Sequence, residues 1–142
     1  MSMVRMVIVD DHPFLRTGLR YVLEEQPEFR VVGEAADGRE GVQLVEKEKP
    51  NVAILDIGMP NLNGIEAARQ IHDSFPDVSI IMLSVHSDES YVLRALKAGA
   101  RAYLLKQSAE ADLITAVKAV IQGKSFFSPA VSQMLLEDYM RQ

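Results

Sequence analysis

The chain has 142 residues, of which 48% are hydrophobic and 25% are charged, and its formal net charge is −5. This composition is typical of one globular domain with its own core, and it argues against disorder. The lack of cysteine excludes disulfides and thiolate metal sites, and the acidic balance argues against direct contact of this segment with a nucleic-acid backbone. No apolar run reaches the ~18 residues of a membrane span, and aspartates follow the start too closely for a signal peptide, so we expect a cytoplasmic protein without membrane contact.

Short apolar runs alternate with longer stretches of helical period, which is typical of a parallel sheet covered by helices. Three of the runs, VAIL, IIML and AYLL, are apolar without alternation, as expected for strands that are buried on both faces. Strands are predicted at Val4–Val9, Phe29–Glu34, Val52–Leu55, Ser79–Leu83 and Ala102–Leu105.

Each predicted strand is followed by a segment with the apolar period of a helix. These helices are predicted from Pro13 to about Glu25, from Arg39 to Glu48, after Asn63, from Asp88 to Ala98, and from a Ser108 cap to just before Gly123. Because crossovers between parallel strands are right-handed, the pattern favours a flavodoxin-like, doubly wound (βα)5 sandwich, an α/β fold with a five-stranded parallel sheet of order 2-1-3-4-5.

The pattern changes after Gly123. Ser128 and Pro129 form a plausible cap and first turn, and a short apolar stripe follows at Val131, Met134 and Leu135. We interpret residues 125–142 as a linker helix that follows a domain over residues 1–124.

Polar residues stand where four of the predicted strands end. Asp10 and Asp11 follow the first strand, Asp56 the third, Ser84 the fourth and Lys106 the fifth. Because the carboxyl ends of parallel strands line one crevice, we expect these side chains to converge. Carboxylates, a hydroxyl and an ammonium together suit a hard divalent cation and a phosphoryl group.

Asp56 is the predicted nucleophile, since it lies at the central strand and a carboxylate can form an acyl phosphate. Lys106 would offset the charge of the phosphoryl oxygens, and Ser84 would donate a hydrogen bond to them. Taken singly, each residue has a simpler interpretation: the acidic pair as a solvated turn, Asp11 as a helix N-cap, and Asp56 as the start of a turn. Their joint placement favours a site. The histidines His12, His72 and His86 show no metal-ligand spacing and are interpreted as surface or packing residues, with His86 near the crevice mouth.

The segments VDDHP at 9 to 13, LDIGMPNLNG at 55 to 64, LS at 83 to 84 and YLLK at 103 to 106 resemble the receiver domain of bacterial two-component response regulators. The resemblance covers about residues 3 to 124. The DDHP form, the serine at 84 and GKSFFSP at 123 to 129 resemble most the NarL/FixJ (LuxR-type) subfamily of DNA-binding regulators.

The resemblance implies that Asp56 accepts a phosphoryl group from a sensor histidine kinase. It implies a Mg²⁺ ion bound by Asp10, Asp11, Asp56 and the carbonyl of Gly58, with Ser84 and Lys106 as catalytic contacts of the phosphoryl group. Ser84 and Tyr103 would form the switch, in which Tyr103 changes rotamer on activation.

Members of this subfamily continue into a helix-turn-helix domain, so we expect a truncated chain that reaches DNA only through a missing C-terminal domain. We also expect a homodimer on phosphorylation, and no enzymatic activity beyond the protein's own phosphorylation and dephosphorylation. Two alternatives stay open. One is a magnesium-dependent phosphohydrolase acting on a small phosphate ester, and the other is a stand-alone receiver that acts only through protein interactions.

Overall fold

The structure is a computed structural model that describes residues 3–59, 62–86 and 88–142; two positions of the LDIGMPNLNG segment, 60 and 61, lie outside the described residues. The strands are β1 (Val4–Val9), β2 (Phe29–Ala35), β3 (Val52–Asp56), β4 (Ser79–Ser84), β5 (Ala100–Leu105) and β6 (Phe126–Phe127). The helices are α1 (Pro13–Glu24), α2 (Gly38–Glu48), α3 (Gly64–Ser74), α4 (Glu89–Lys97), α5 (Ala109–Ile121) and α6 (Pro129–Arg141), with a 3-10 turn at Lys106–Ser108.

The strands form one parallel sheet of order β2-β1-β3-β4-β5-β6 with a hydrophobic core on each face. Alternate residues of β1 show the division, because Val7 and Val9 belong to one core and Met6 and Ile8 to the other. Helices α2, α3 and α4 cover the first face, and α1 and α5 cover the second. The predicted α/β sandwich and the relative order of the first five strands are therefore confirmed.

The sheet has one strand more than predicted. Phe126 and Phe127 pair in parallel with Ala102 and Tyr103 of β5. Their side chains pack against opposite cores, Phe126 on the α1 and α5 side and Phe127 on the α2 to α4 side. The prediction of five strands is wrong because a strand of two residues is too short to leave a periodic pattern in the sequence.

Helix capping agrees with the prediction at Ser128 and differs at Ser108. The Ser128 side chain accepts a hydrogen bond from the Val131 amide at 3.3 Å, as expected of an N-cap. Asn63, which the third helix was predicted to follow, caps that helix by accepting from the Glu66 amide at 2.9 Å. Ser108 does not cap α5, since its hydroxyl donates to the carbonyl of Leu105 at 3.4 Å within the 3-10 turn. The Asn63 cap matters most for function, because it fixes the start of α3 close behind Asp56.

Helix α6 packs against α4. Val131 is fully buried in the core that also contains Tyr103, and Met134 and Leu135 pack against the same core. The predicted apolar stripe therefore faces the domain. At the far end of the helix, Arg141 forms an exposed ion pair with Glu89 of α4 at 2.6 Å. Within the described part of the chain, no helix is long and apolar enough to cross a membrane.

Candidate functional site

The strand ends bring four of the predicted residues to one edge of the sheet. Asp10 directly follows β1, Asp56 is the last residue of β3, Ser84 is the last residue of β4, and Lys106 directly follows β5. The Lys106 ammonium lies 3.2 Å from Asp10 Oδ2 and 3.1 Å from Asp56 Oδ2. Residues that are far apart in sequence thus form one charged cluster, as predicted.

The central acidic groups of this cluster are withdrawn from solvent. Asp10 and Asp56 are 0% and 2% exposed. The backbone fixes Asp10 on both sides, because its amide donates to the carbonyl of Ala35 at 3.0 Å and its own carbonyl accepts from the Arg16 guanidinium. Burying charged groups costs several kcal/mol each unless they are paired. Two such groups beside one lysine indicate a site built for a further positive charge.

Three oxygens of the cluster are buried and accept no hydrogen bond: Asp10 Oδ2, Asp11 Oδ1 and Asp56 Oδ2. Their contacts with Lys106 and His12 are ion pairs that lack the direction of hydrogen bonds. Ligand atoms of Asp10, Asp11, His12 and Asp56 all lie within 4.8 Å of one another. Carboxylate oxygens are the ligands that Mg²⁺ prefers, so the donor set fits this ion.

The electrostatics of the cluster act on Asp56. Burial raises the pKa of its carboxyl group, and the charge of Asp10 raises it further, while Lys106 and the Gly58 amide act in the opposite direction. The Gly58 N–H donates to Asp56 Oδ1 at 3.2 Å. One carboxylate oxygen is therefore held by the backbone, and the other faces Lys106. A divalent cation at the cluster would lower the pKa of Asp56 and favour its ionised form.

The loop after β1 differs from the sequence-based expectation at Asp11 and His12. His12, not Asp11, is the N-cap residue of α1, and its side chain makes no capping hydrogen bond. The His12 ring is 62% exposed, yet its Nδ1 lies 2.9 Å from Asp10 Oδ1 and 3.1 Å from Asp11 Oδ1. His12 lies at the surface, as predicted, but its ring also contacts both carboxylates, which was not predicted from the sequence. The signal for these contacts was its position directly after the acidic pair, in the loop that leaves β1.

Ser84 and Tyr103 both bind the backbone that follows β4. The His86 amide donates to Ser84 Oγ at 2.9 Å, and the Tyr103 hydroxyl donates to the His86 carbonyl at 2.6 Å. Tyr103 is 1% exposed, and this burial raises the pKa of its phenol. The exposed His86 ring stacks on Tyr91 of α4, with ring centroids 4.2 Å apart. The predicted switch residues, Ser84 and Tyr103, are thus connected to α4 through His86.

Comparison with known proteins identifies relatives over nearly the whole chain. Residues 6–118 match the response regulator receiver domain. The transcriptional regulatory protein DegU of Brevibacillus brevis is 46% identical over 138 residues, which are 97% of this chain and 58% of DegU.

Solved structures give the same result. A LuxR-family two-component response regulator from an Aurantimonas species superposes with a TM-score of 0.91 at 34% identity, covering 98% of this chain and 99% of that chain. RcsB, solved as two dimers bound to two parallel DNAs, superposes with a TM-score of 0.85 at 32% identity, covering 94% of this chain and 68% of that chain.

The family match and the structural similarity agree with the acidic cluster at the strand ends. The chain spans little more than half the length of DegU, so its relationship concerns the receiver part of that regulator. The chain belongs to the response regulator receiver domain family, and within it to the NarL/LuxR-type regulators.

Proposed function

We propose that this chain is the phosphorylation switch of a two-component system and that Asp56 accepts its phosphoryl group from a phosphohistidine of a sensor kinase. The observation that carries the proposal is the burial of Asp56 beside Asp10. The Lys106 ammonium contacts the carboxylates of both aspartates. This position combines a nucleophile, a cation-binding cluster and a fixed positive charge at one strand end. Those are the parts that phosphoryl transfer requires.

In the transfer step, an oxygen of the ionised Asp56 carboxylate forms a bond to phosphorus as the phosphorus–nitrogen bond to the kinase histidine breaks. The bonding electron pair stays with the leaving imidazole, which takes up a proton, and Asp56 becomes an acyl phosphate. Lys106 stabilises the negative charge on the phosphoryl oxygens because its ammonium already lies at 3.1 Å from the Asp56 carboxylate. The protein catalyses only its own phosphorylation and dephosphorylation in this scheme.

Asp10, Asp11 and Asp56 would hold a Mg²⁺ ion, with the carbonyl of Gly58 as a further ligand. When bound, the ion supplies positive charge that offsets the repulsion between the attacking carboxylate and the phosphoryl oxygens. The orphaned oxygens on all three aspartates support this assignment.

The switch follows from the contacts of Ser84 and Tyr103. A phosphoryl group on Asp56 would draw the Ser84 hydroxyl away from the His86 amide, and the backbone that accepts the Tyr103 hydroxyl would shift with it. Tyr103 then changes rotamer, and α4 repacks because His86 stacks on Tyr91. Helix α6 lies on α4, so the change reaches residues 125–142, the linker that follows the receiver at 1–124.

The output is transcription, through a helix-turn-helix domain joined beyond α6 and a homodimer formed on phosphorylation. The RcsB dimers solved on DNA support this direction for a relative of the same type. Phe14 (95% exposed) and Val85 (66% exposed) line one pocket together with Lys106, and this exposed apolar rim supports docking of a protein donor, the sensor kinase, in the cytoplasm.

The test is intact-mass analysis after incubation with acetyl phosphate and Mg²⁺. The wild-type protein should gain the mass of one phosphoryl group, whereas Asp56→Asn should gain none and the exposed-site control Asp73→Asn should behave as wild type. An Asp56→Asn protein that still gains this mass contradicts the assignment of the acceptor. Steady-state phosphate release from a small ester, well beyond one equivalent, would instead favour the phosphohydrolase alternative.

A further inference from the structure

His12 is a nitrogen donor inside an otherwise all-oxygen cluster. Its Nδ1 lies 2.9 Å from Asp10 Oδ1, 3.1 Å from Asp11 Oδ1 and 3.2 Å from Lys106 Nζ. We propose that His12 Nδ1 is a ligand of the divalent ion at this site and makes the site prefer first-row transition ions such as Mn²⁺ over Mg²⁺. The inference rests on the proposed function, because it concerns the metal of the same site.

Three polar groups surround His12 Nδ1. Two are carboxylate oxygens, Asp10 Oδ1 and Asp11 Oδ1, and the third is the Lys106 ammonium. Ligand atoms of His12, Asp10, Asp11 and Asp56 all lie within 4.8 Å of one another, and an imidazole nitrogen can direct its lone pair to a metal ion. A cation between His12, Asp10 and Asp11 would therefore be contacted by this nitrogen and by both carboxylates.

The distances agree with a shared ion. Ligands at ~2.1 Å from an octahedral ion are separated by ~3.0 Å along each edge of the octahedron. The Nδ1 atom of His12 lies 2.9 Å from Asp10 Oδ1 and 3.1 Å from Asp11 Oδ1. Asp10 Oδ1 also accepts from the His12 amide at 2.7 Å, whereas Asp11 Oδ1 is buried and accepts no hydrogen bond. Asp10 is 0% exposed, and its second oxygen, Oδ2, is likewise without a hydrogen bond. These two buried, orphaned oxygens are the second indication of a metal, besides the acidic cluster itself.

The chemical type of the ligand atoms determines for which ion the affinity of the site increases. Mg²⁺ favours oxygen ligands and keeps much of its water shell, so an imidazole adds little to its binding. Imidazole nitrogen binds later first-row ions well, and affinity for such sites rises from Mn²⁺ through Co²⁺ and Ni²⁺. His12 is thus expected to raise the affinity for Mn²⁺ and Co²⁺ selectively, and to leave the affinity for Mg²⁺ nearly unchanged.

Calorimetric titration of the chain with Mg²⁺, Mn²⁺ and Co²⁺ tests the inference, with His12→Ala compared against wild type and against His86→Ala. The second variant removes a histidine near the crevice mouth that is outside the ligand cluster. His12→Ala should weaken Mn²⁺ and Co²⁺ binding by at least about tenfold, since even outer-shell partners of metal ligands contribute that much, and should change Mg²⁺ binding far less. His86→Ala should bind all three ions as wild type does.

Electron spin echo spectroscopy of bound Mn²⁺ gives a direct readout. The wild-type and His86→Ala proteins should show the modulation of a coordinated imidazole nitrogen, and His12→Ala should lack it. If His12→Ala binds all ions more tightly, the imidazole is a counter-cation that competes with metal, and the inference is overturned. If its affinities and spectrum equal those of wild type, His12 is a surface residue, and the inference is again overturned.

The same titrations separate this inference from the proposed function. A wild-type protein that binds none of the three ions removes the metal from both proposals. A wild-type protein that binds Mg²⁺ with loss in Asp11→Asn, but without any effect of His12→Ala, keeps the proposed metal site and overturns the role of His12 alone.

Discussion

The acidic crevice and the C-terminal helix α6 are held in place by different kinds of contact. Asp56 is the last residue of β3, a central strand that pairs with β1 and β4, and Asp56 itself pairs with Leu83 of β4. Helix α6 is attached mainly through side chains, with Val131 buried and Arg141 in an exposed ion pair with Glu89. The sheet therefore fixes the position of Asp56, whereas α6 can move without a change in the strands.

This difference suits a switch. The acidic crevice must hold like charges together against their repulsion, which a continuous hydrogen-bonded sheet can do. Helix α6 must respond to a local change in α4, and a helix held by Val131, by the partly buried Met134 and Leu135 and by a solvent-exposed ion pair can respond. Between them, Tyr103 is buried next to the same core as Val131, so both ends share one set of packing contacts.

The largest effect on stability is expected for a substitution at Gly64, the first residue of α3, which packs directly against the backbone of Asp56. A Cβ atom there would overlap the backbone carbonyl of Asp56 and lie 2.8 Å from the Ile57 Cα, and backbone cannot yield as a flexible side chain can. Gly64→Ala should lower the free energy of unfolding by about 3 kcal/mol. The matched control is Gly58→Ala, where an added Cβ meets nothing within 4 Å, with an expected change within about 0.5 kcal/mol. Urea unfolding of both variants measures the difference, and equal effects would show that α3 can retreat from Asp56.

A smaller effect on the free energy of unfolding is expected from the buried carboxylate of Asp56. Burial and Asp10 raise the pKa of Asp56 above its ordinary value of 3.8, so the folded protein binds a proton there more tightly than the unfolded chain does. Stability is therefore lost as the pH rises from 3.8 through the raised pKa, and at neutral pH the ionised group destabilises the fold. Asp56→Asn in EDTA at pH 7 should raise the free energy of unfolding by about 2 kcal/mol.

The sign and the pH dependence of this gain are the test. Thermal melts between pH 4 and pH 8 should show the advantage of Asp56→Asn shrinking as the pH falls, because the wild-type carboxyl then becomes protonated. The exposed control Asp73→Asn should show no such trend. A variant that melts lower than wild type at pH 7 would mean that the ion pair with Lys106 outweighs burial and the repulsion from Asp10.

On the loosely held side, Val131→Ala should release α6 while leaving the sheet intact. Removing two buried methyl groups costs about 1 to 1.5 kcal/mol, and we expect the loss to fall mainly on α6 because Val131 is the buried residue of that helix. Hydrogen exchange should quicken about tenfold in 129–141 and stay unchanged in β3 and β4. Leu136→Ala, at a residue that is 53% exposed, is the matched control and should change neither. Equal acceleration in the central strands would show that helix and sheet unfold together.

The smallest effect is expected at the outer end of α6. Arg141 pairs with Glu89 and more weakly with Asp138, and its side chain is 58% exposed. Because exposed ion pairs contribute little, Arg141→Gln should speed exchange in the last turn of α6 by roughly twofold or less, and 0.5 M salt should have a similar effect on the wild type. A change as large as that of Val131→Ala would make this ion pair, and not Val131, the main attachment of the helix.

The residues of the crevice were predictable from the sequence because each stands at the end of an apolar run. Strand ends of a parallel sheet meet at one edge, so VAIL before Asp56 and AYLL before Lys106 already indicate that the two side chains approach each other. The Ser128 cap was equally predictable, because capping depends on residues three positions away. These are consequences of local pattern and of one general rule of topology.

The structure alone places the His12 ring beside the acidic pair, adds β6 to the sheet and packs α6 on α4. No periodic pattern marks a two-residue strand. The apolar pattern around Val131 is the same for a free amphipathic helix as for one that packs on a domain, so the sequence does not identify its packing partner. The sequence by itself determined which residues are buried, which strands are parallel and which charges share an edge, because these follow from local pattern and chain topology. Only the tertiary structure decided the orientation of an exposed ring and the partner of an apolar stripe, because both depend on contacts between segments that are distant along the chain.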